Sequence, residues 1–349
     1  MIYIVGAGPA GLATGLFLLE KGYKVTILEK EDKIKSTACG EACDLDSLKM
    51  LPFDSTPYFE RVIEGLKFIF NGKYFYVKTR GVVLNRQKWL EGMADEFMRR
   101  GGKIKFSSKV IKVDSQYIYT EEEKKNYELC IGADGPLSVV RKFFGENCAF
   151  DVGSEYEIEY KKDDDFLEFY LSKKFSPHYA WIFPKKESIN IGVIGNFSML
   201  DRFLKEVKID GKILAKKAGM IPYGGVEKFV KEGVVLIGDA ACMANPFSLG
   251  GISPAIHAAK ILAKNVVNLK RYEEEIKKHA IMDGILMKGR KAVEKLNDKE
   301  MEIIFDRIDG KEFREIKYRD IAGVLLHFAS VPKFYNISRA LLHSIKWGW

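Results

Sequence analysis

Ile2-Tyr3-Ile4-Val5-Gly6-Ala7-Gly8-Pro9-Ala10-Gly11, continuing through Leu12, Leu16 and Leu19 to Gly22 and then Lys24-Val25-Thr26-Ile27-Leu28-Glu29, decides how this chain folds. The apolar run reads as a strand, the glycines as a turn, the leucines as one face of a helix, and the second run as a strand ending in an acid. Strand, glycine turn, helix and strand within about thirty residues form the unit that binds the ADP half of a dinucleotide. Gly6 permits the tight turn, Gly8 lets backbone N–H groups approach a pyrophosphate at the helix N-terminus, and Gly11 lets helix and strand pack closely. Glu29 is placed to hold the ribose hydroxyls.

At 349 residues the chain is too long for one simple core and suggests about two or three domains. The 47% hydrophobic content is that of an ordinary globular protein. No basic leader and apolar segment precede the first strand, so a cytoplasmic location is expected. The longest apolar stretch, Ile321 to Val331, is interrupted by His327 and followed by Pro332, too short for a membrane span. Lys and Arg outnumber Asp and Glu by 56 to 48, a net charge of +8 spread along the chain. This reads as a solvated surface with at most a weak attraction to phosphate-bearing substrates or an anionic membrane. No nucleic-acid partner is expected, because the aromatic residues follow strand and core spacing rather than basic clusters. Five cysteines argue against a disulfide framework. Cys39 and Cys43, with no second Cys/His pair, make a poor zinc site, and no metal is expected.

Further along, Asn71-Gly72 turns a hairpin between alternating apolar runs, and an amphipathic helix over Trp89 to Arg100 closes at Gly101-Gly102. Tyr127 to Ile131 is a short strand that runs into Gly132-Ala133-Asp134-Gly135. Strands are expected at Tyr156–Tyr160, Phe166–Leu171, Tyr179–Phe183 and Ile189–Ile194, then a helix over Met199 to Lys208. The dinucleotide pattern resumes at Gly233-Val234-Val235-Leu236-Ile237-Gly238-Asp239. Asn245-Pro246 and Gly250-Gly251-Ile252 then open a helix over Ser253 to Leu269.

Three signatures now stand in order: the N-terminal glycine turn, Gly-Ala-Asp-Gly, and Gly-Asp followed by Gly-Gly at a helix start. In this the chain resembles flavoproteins of the p-hydroxybenzoate hydroxylase fold and, within them, the geranylgeranyl reductases that saturate archaeal and plant isoprenoid chains. The resemblance implies an α/β (α+β overall) architecture. A Rossmann-like FAD-binding domain would span 1–60, 80–148 and 228–270, an inserted antiparallel-sheet substrate domain 61–79 and 149–227, and a helical C-terminal region 271–349. It implies that Gly6, Gly8, Ala10, Gly11 and Glu29 bind the ADP part of FAD, with Arg86 and the backbone of Val110. Asp239, Pro246, Gly250, Gly251 and Ile252 would serve the flavin half. Asp239 at a strand end can bond the ribityl chain, and the helix opened by Gly250-Gly251 turns partial positive charge toward the flavin edge where negative charge collects on reduction. Asp134 would support the pyrophosphate region and helix packing, or simply end a strand.

The narrower resemblance lies in two segments. Cys39-Gly40-Glu41 is similar to the Cys-Gly-Glu segment beside the flavin, where Cys39 would touch the cofactor and serve catalysis; the residues alone equally suit a small buried hydrophobe. Tyr179-Ala180-Trp181-Ile182-Phe183-Pro184 matches the reductases' Tyr-x-Trp-x-Phe-Pro motif, and its alternation puts Tyr179, Trp181 and Phe183 on one face as an aromatic wall for a polyprenyl substrate. The family's following Gly-x-Gly is one residue wider here, at Gly192 and Gly195.

The implied chemistry is hydride transfer from N5 of reduced FAD to an isolated C=C, with a proton delivered to the neighbouring carbon. No second Gly-x-Gly-x-x-Gly is present, so electrons are expected from a partner such as ferredoxin or NAD(P)H. The aromatic and basic ending, Lys333-Phe334-Tyr335 and Lys346-Trp347-Gly348-Trp349, either packs a terminal helix or makes a peripheral membrane contact. Competing readings are a flavin-dependent monooxygenase of the same fold and a non-enzymatic prenyl-binding chaperone.

Overall fold

The computed structural model describes residues 1–313 and 333–348. In chain order, β1 (Ile2–Val5) leads through α1 (Pro9–Glu20) to β2 (Val25–Leu28), and β3 (Ala42–Asp44) and α2 (Leu45–Lys49) precede the hairpin β4 (Phe59–Phe70) and β5 (Lys73–Leu84). Next come α3 (Arg86–Arg99), β6 (Lys103–Lys105), β7 (Val110–Val113), β8 (Tyr117–Thr120), β9 (Lys124–Asn126), β10 (Leu129–Gly132) and α4 (Val139–Phe144). The following block is β11 (Ala149–Glu159), β12 (Phe166–Tyr170), β13 (Ala180–Pro184), β14 (Ser188–Ile194), α5 (Phe197–Val207) and β15 (Ile213–Tyr223). The chain then forms β16 (Val230–Lys231), β17 (Val234–Leu236), α6 (Ile252–Lys264), α7 (Leu269–Lys278), α8 (Gly284–Glu294), α9 (Asp298–Ile308), β18 (Glu312–Phe313) and a C-terminal helix, Lys333–Trp347.

One sheet runs β16-β17-β10-β1-β2-β6. Its central strands are parallel, with Ile2 opposite both Val25 and Leu129. Both faces of such strands are covered, which is why they read as unbroken apolar runs rather than alternating ones. Helix α1 is buried from Ala10 to Leu18 between this sheet and α3 and α6. Its small residues permit that approach: a Cβ on Gly11 would lie 2.0 Å from the Gly6 carbonyl oxygen, and one on Gly15 would meet the Phe97 ring at 2.6 Å.

The second sheet runs β15-β11-β14-β13-β12-β4-β5-β18, with β3 also on β5. It unites the hairpin and the 149–223 block through the parallel β12–β4 pair, Phe166 opposite Gly65. The hairpin is longer than 61–79, running from Phe59 to Leu84 about Asn71 (φ 48°) and Gly72 (φ 82°). One face of β13 and β14, with Ala180, Ile182, Ile189 and Ile191, packs on Leu200 and Phe203 of α5; the other, with Trp181 and Phe183, packs with Leu66, Val77 and Leu249. Strand β15 gives no clear sequence signal, because its edge residues Lys216 and Lys217 interrupt the apolar pattern. The C-terminal region is not all helix, since β18 pairs with β5.

The helix expected to reach Leu269 ends at Lys264, where the Asn265 side-chain amide donates to the Ile261 carbonyl at 3.0 Å and to Glu275 at 2.8 Å. A disulfide joins Cys148 and Cys242, contrary to the inference from an odd cysteine count; 94 residues separate them in sequence, and the fold brings their Cα atoms to 6.2 Å. Trp347 packs inward, its ring 5.5 Å from that of His279. Trp349 and the apolar stretch Ile321 to Val331 lie outside the described residues. No helix among the described residues is long and apolar enough to cross a membrane.

Candidate functional site

One cavity of about 690 Å³ lies between the two sheets and the C-terminal helices. Gly6, Gly8, Ala10, Glu29, Cys39, Gly40, Arg86 and Val110 line it, as do Asp239, Gly250, Gly251, Ile252, Tyr179, Trp181 and Phe183. Two of the expected contacts are off its wall. Gly11 is consumed by the helix–strand approach, and the Pro246 carbonyl accepts from Arg290 Nη1 at 3.3 Å.

At one end the turn after β1 forms a cradle. Gly6 has φ +100°, and a Cβ there would be 2.5 Å from the Ala133 carbonyl oxygen, whereas a Cβ on Gly8 would meet no atom of the described residues within 4 Å. Gly8 therefore faces open cavity, with room for a group laid against the backbone. Helix α1 starts there without a side-chain cap, leaving its first N–H groups to an anion. The Glu29 carboxylate accepts from Ala7 N at 2.7 Å and Glu31 N at 3.0 Å, which fixes it across the turn.

Arg86 is buried; its Nη1 donates to the Thr37 carbonyl at 2.8 Å, and its Nε has no partner among the described residues. A buried unpaired guanidinium N–H is costly and fits a missing acceptor such as a cofactor phosphate. Asp239 stands in a turn ending beside Arg141, which donates to the backbone carbonyls of Asp239 and Ala240. Burial pushes the Asp239 carboxyl up to about 6, against the pull of Arg86 and Arg141. Gly251 is the N-cap of α6 with no capping side chain, so the positive end of a 13-residue helix meets the cavity wall. Asp134 faces the same region but is spent on α4, accepting from Ser138 Oγ at 2.5 Å and Val139 N at 2.6 Å. Glycine room, two uncapped helix starts, an unpaired buried Arg86 N–H and a buried carboxylate together fit the polar groups of FAD.

At the junction with the apolar compartment sits Cys39-Gly40-Glu41. A Cβ on Gly40 would lie 2.8 Å from the Phe183 ring, so only glycine lets the loop approach the wall. Burial raises the Cys39 thiol pKa, with Arg86 opposing and Glu155 reinforcing. The wall itself is continuous: Tyr179 and Trp181 rings are 6.1 Å apart, Trp181 and Phe183 6.2 Å, and Phe169 meets Phe183 edge-on at 5.3 Å. Trp181 Nε1 donates to Asn190 Oδ1 at 3.1 Å and the Tyr179 hydroxyl to the Ser248 carbonyl at 2.6 Å, which fixes the tilt of both rings.

Beyond this wall, Phe68, Phe75, Met301, Phe305 and Leu341 extend the apolar lining. Sequence reasoning assigned none of them to a site. The hairpin alternation places Phe68 on a buried face, but no motif marks α9 or the C-terminal helix. His178 also lines the cavity; it is buried, its Nε2 is unpartnered among the described residues, and burial beside Arg290 lowers its pKa to about 4.

Residues 1–52 match the model of an FAD binding domain, and residues 150–221 match that of the geranylgeranyl reductase catalytic domain, a span that coincides with β11 to β15. The chain is 29% identical to the digeranylgeranylglycerophospholipid reductase of Methanococcus vannielii, covering 88% of this chain and 90% of that one. A geranylgeranyl bacteriochlorophyll reductase-like protein from Thermoplasma acidophilum superposes with a TM-score of 0.81 at 21% identity, covering 95% and 96%. The p-nitrophenol 4-monooxygenase of Pseudomonas putida has the same fold, with a TM-score of 0.68 at 16% identity over 95% and 97%. The chain is accordingly a flavin-dependent oxidoreductase that binds FAD, and its catalytic-domain match and its relatives make it similar to the geranylgeranyl reductases.

Proposed function

We propose that the protein is an FAD-dependent reductase that saturates the C=C bonds of geranylgeranyl chains on a membrane lipid, of the digeranylgeranylglycerophospholipid kind named for its relatives. The observation that carries this reading is the continuity of the cavity, which joins a cradle suited to FAD to an aromatic and aliphatic compartment without a polar barrier. Apart from His178, such a lining offers a long hydrocarbon mainly area and shape, which is how a polyprenyl chain is bound. A polar aromatic substrate of the monooxygenase kind would need convergent hydrogen-bonding groups in that compartment.

FAD, when bound and reduced, supplies the hydride that saturation of an isolated double bond consumes. Gly6, Gly8, Ala10, Glu29, Arg86 and Val110 hold its ADP part, and Asp239 with the α6 start at Gly250-Gly251-Ile252 its flavin half. Tyr179, Trp181 and Phe183 keep the alkene flat against the site and exclude water, which an unactivated C=C requires because no carbonyl takes up charge. The Cys39 thiol, held protonated by burial, is the proton source for the neighbouring carbon. Electrons come from an external donor such as ferredoxin or NAD(P)H, the chain having one dinucleotide turn, and the lipid is taken up through peripheral contact with a membrane.

The test is anaerobic: the purified flavoprotein is reduced with dithionite, freed of excess reductant, and mixed with a geranylgeranyl ether phospholipid while absorbance near about 450 nm is followed. Return of the oxidised-flavin band together with lipid that has gained hydrogen pairs by mass spectrometry is the expected result. Flavin that stays reduced until air is admitted would overturn the reading and favour oxygen chemistry.

A further inference from the structure

Three buried polar side chains outside the cofactor contacts converge on the Cys39-Gly40-Glu41 loop. Glu155, on β11, accepts from Cys39 N at 3.0 Å, and Asn190 Nδ2, on β14, donates to the Cys39 carbonyl at 3.1 Å. Lys185, just past β13, donates to Glu41 Oε2 at 2.8 Å and Glu157 Oε1 at 3.0 Å. Glu155, Asn190, Lys185 and Glu41 are all at least nine-tenths buried. Burying this much polarity is expensive, and truncating one member leaves another unpaired. The loop they hold is strained as well, since Glu41 has φ +64°, a left-handed conformation costly for a residue with a side chain. A strained segment pinned from three strands, at the junction of cradle and wall, is over-determined in a way that packing alone does not need.

We propose that Glu155 and Asn190 are positioning residues that grip the Cys39 peptide from both sides, so that the thiol stands at a fixed place relative to the Trp181 ring. The coupling to Trp181 is direct: the Asn190 oxygen accepts from Trp181 Nε1 at 3.1 Å while its amide nitrogen holds Cys39. One asparagine therefore ties the proton source to the surface on which the substrate lies. The Lys185–Glu41 pair holds Glu41, two residues after Cys39, in its left-handed conformation, and Glu41 N in turn donates to Cys39 Sγ at 3.3 Å. The charged groups around the clamp are Lys217 and Glu41 facing Glu155, and Arg86, Glu155 and Glu41 facing Cys39. Burial lifts the Glu155 carboxyl to about 7, so its charge, and with it the environment of the thiol, changes near neutral pH.

This inference rests on the reading of Cys39 as the proton source, and its test separates the two. In the FAD-loaded enzyme, the rate of Cys39 alkylation by iodoacetamide is measured against pH and located by mass spectrometry, alongside kcat and KM for a geranylgeranyl ether phospholipid. Glu155→Ala is expected to shift the alkylation profile to lower pH, because a neighbouring negative charge is gone, and to lower kcat by on the order of tenfold or more with KM little changed. Glu155→Gln keeps an acceptor oxygen and recovers most of kcat while the alkylation profile stays shifted. Asn190→Ala lowers kcat and raises KM together, because Trp181 loses its anchor. A changed Cys39 alkylation rate in the charge-neutral substitution Asn190→Ala, in an enzyme without lipid turnover, supports the clamp while removing the reductase reading. Folded, flavin-loaded Glu155→Ala with wild-type alkylation and kcat overturns the clamp. If that variant does not fold, unchanged kcat and KM in Asn190→Ala overturn it instead.

Discussion

Gly192→Ala adds one methyl group beneath the aromatic wall. The Gly192 backbone is one that alanine adopts, so the effect is steric alone. The new Cβ would sit 2.2 Å from Trp181 Cζ2, against the 3.4 Å at which ordinary contact begins, and the indole must retreat by about 1.2 Å. Trp181 cannot do so in place, because it is 5% exposed and its Nε1 is tied to Asn190 at 3.1 Å. Overpacking of this kind costs about 1–3 kcal/mol and the lost hydrogen bond about 1 kcal/mol more, giving about 2–4 kcal/mol. With an unfolding entropy of about 2.1 cal/mol/K per residue over 349 residues, Tm should fall by about 3–5 °C. Displacing the ring also moves the proposed substrate surface, so KM for the lipid should rise while FAD content is unchanged. The assay is a melt followed by circular dichroism and tryptophan fluorescence, with turnover on the same preparation. A Tm within about 1 °C of wild type together with unaltered KM would refute the reasoning, since the ring would then have room the structure does not give it.

Four further outcomes are expected. Gly8→Val leaves the apoprotein folded, because its side chain enters open cavity, but yields colourless protein; full flavin occupancy would show that the cradle is misassigned. Trp181→Ala keeps its flavin and loses lipid turnover, checked by flavin absorbance and lipid mass. Asp239→Asn removes a carboxyl whose pKa is raised on folding from 3.8 to about 6, so wild-type apoprotein loses stability as pH climbs through that window. The variant should match it below pH about 4 and exceed it by up to about 3 kcal/mol near pH 7, with a flat Tm–pH curve as the readout. Peptide mapping without reductant should recover Cys148 linked to Cys242, and reduction of that bond should cost about 2–4 kcal/mol; unlinked peptides would refute the pairing.

Much of the proposed FAD cradle was legible because its determinants are local. A strand, a glycine turn and a helix start within a dozen residues impose backbone geometry by themselves, and Gly6, Gly8, Ala10 and Glu29 fall on the cavity where that geometry puts them. Tyr179, Trp181 and Phe183 were legible for the same reason, as alternation along one strand fixes a shared face. Pro246 was a plausible neighbour of the cofactor from its place before Gly250, yet its carbonyl turns toward Arg290, a contact across 44 residues that the motif does not contain.

Local pattern in the sequence determined where the nucleotide fold begins, where the glycines must be, and that one strand of the second sheet carries an aromatic face. Only the tertiary structure decided what lies opposite that face and what holds the loop between. Glu155 reaches Cys39 across 116 residues, Lys185 reaches Glu41 across 144, and α9 brings Phe305 to the far wall although periodicity marks only its buried face. The physical reason is that propensity, turn chemistry and apolar period act over a few residues, whereas the partner of a buried charge is chosen by how sheets and helices meet when water is excluded between them.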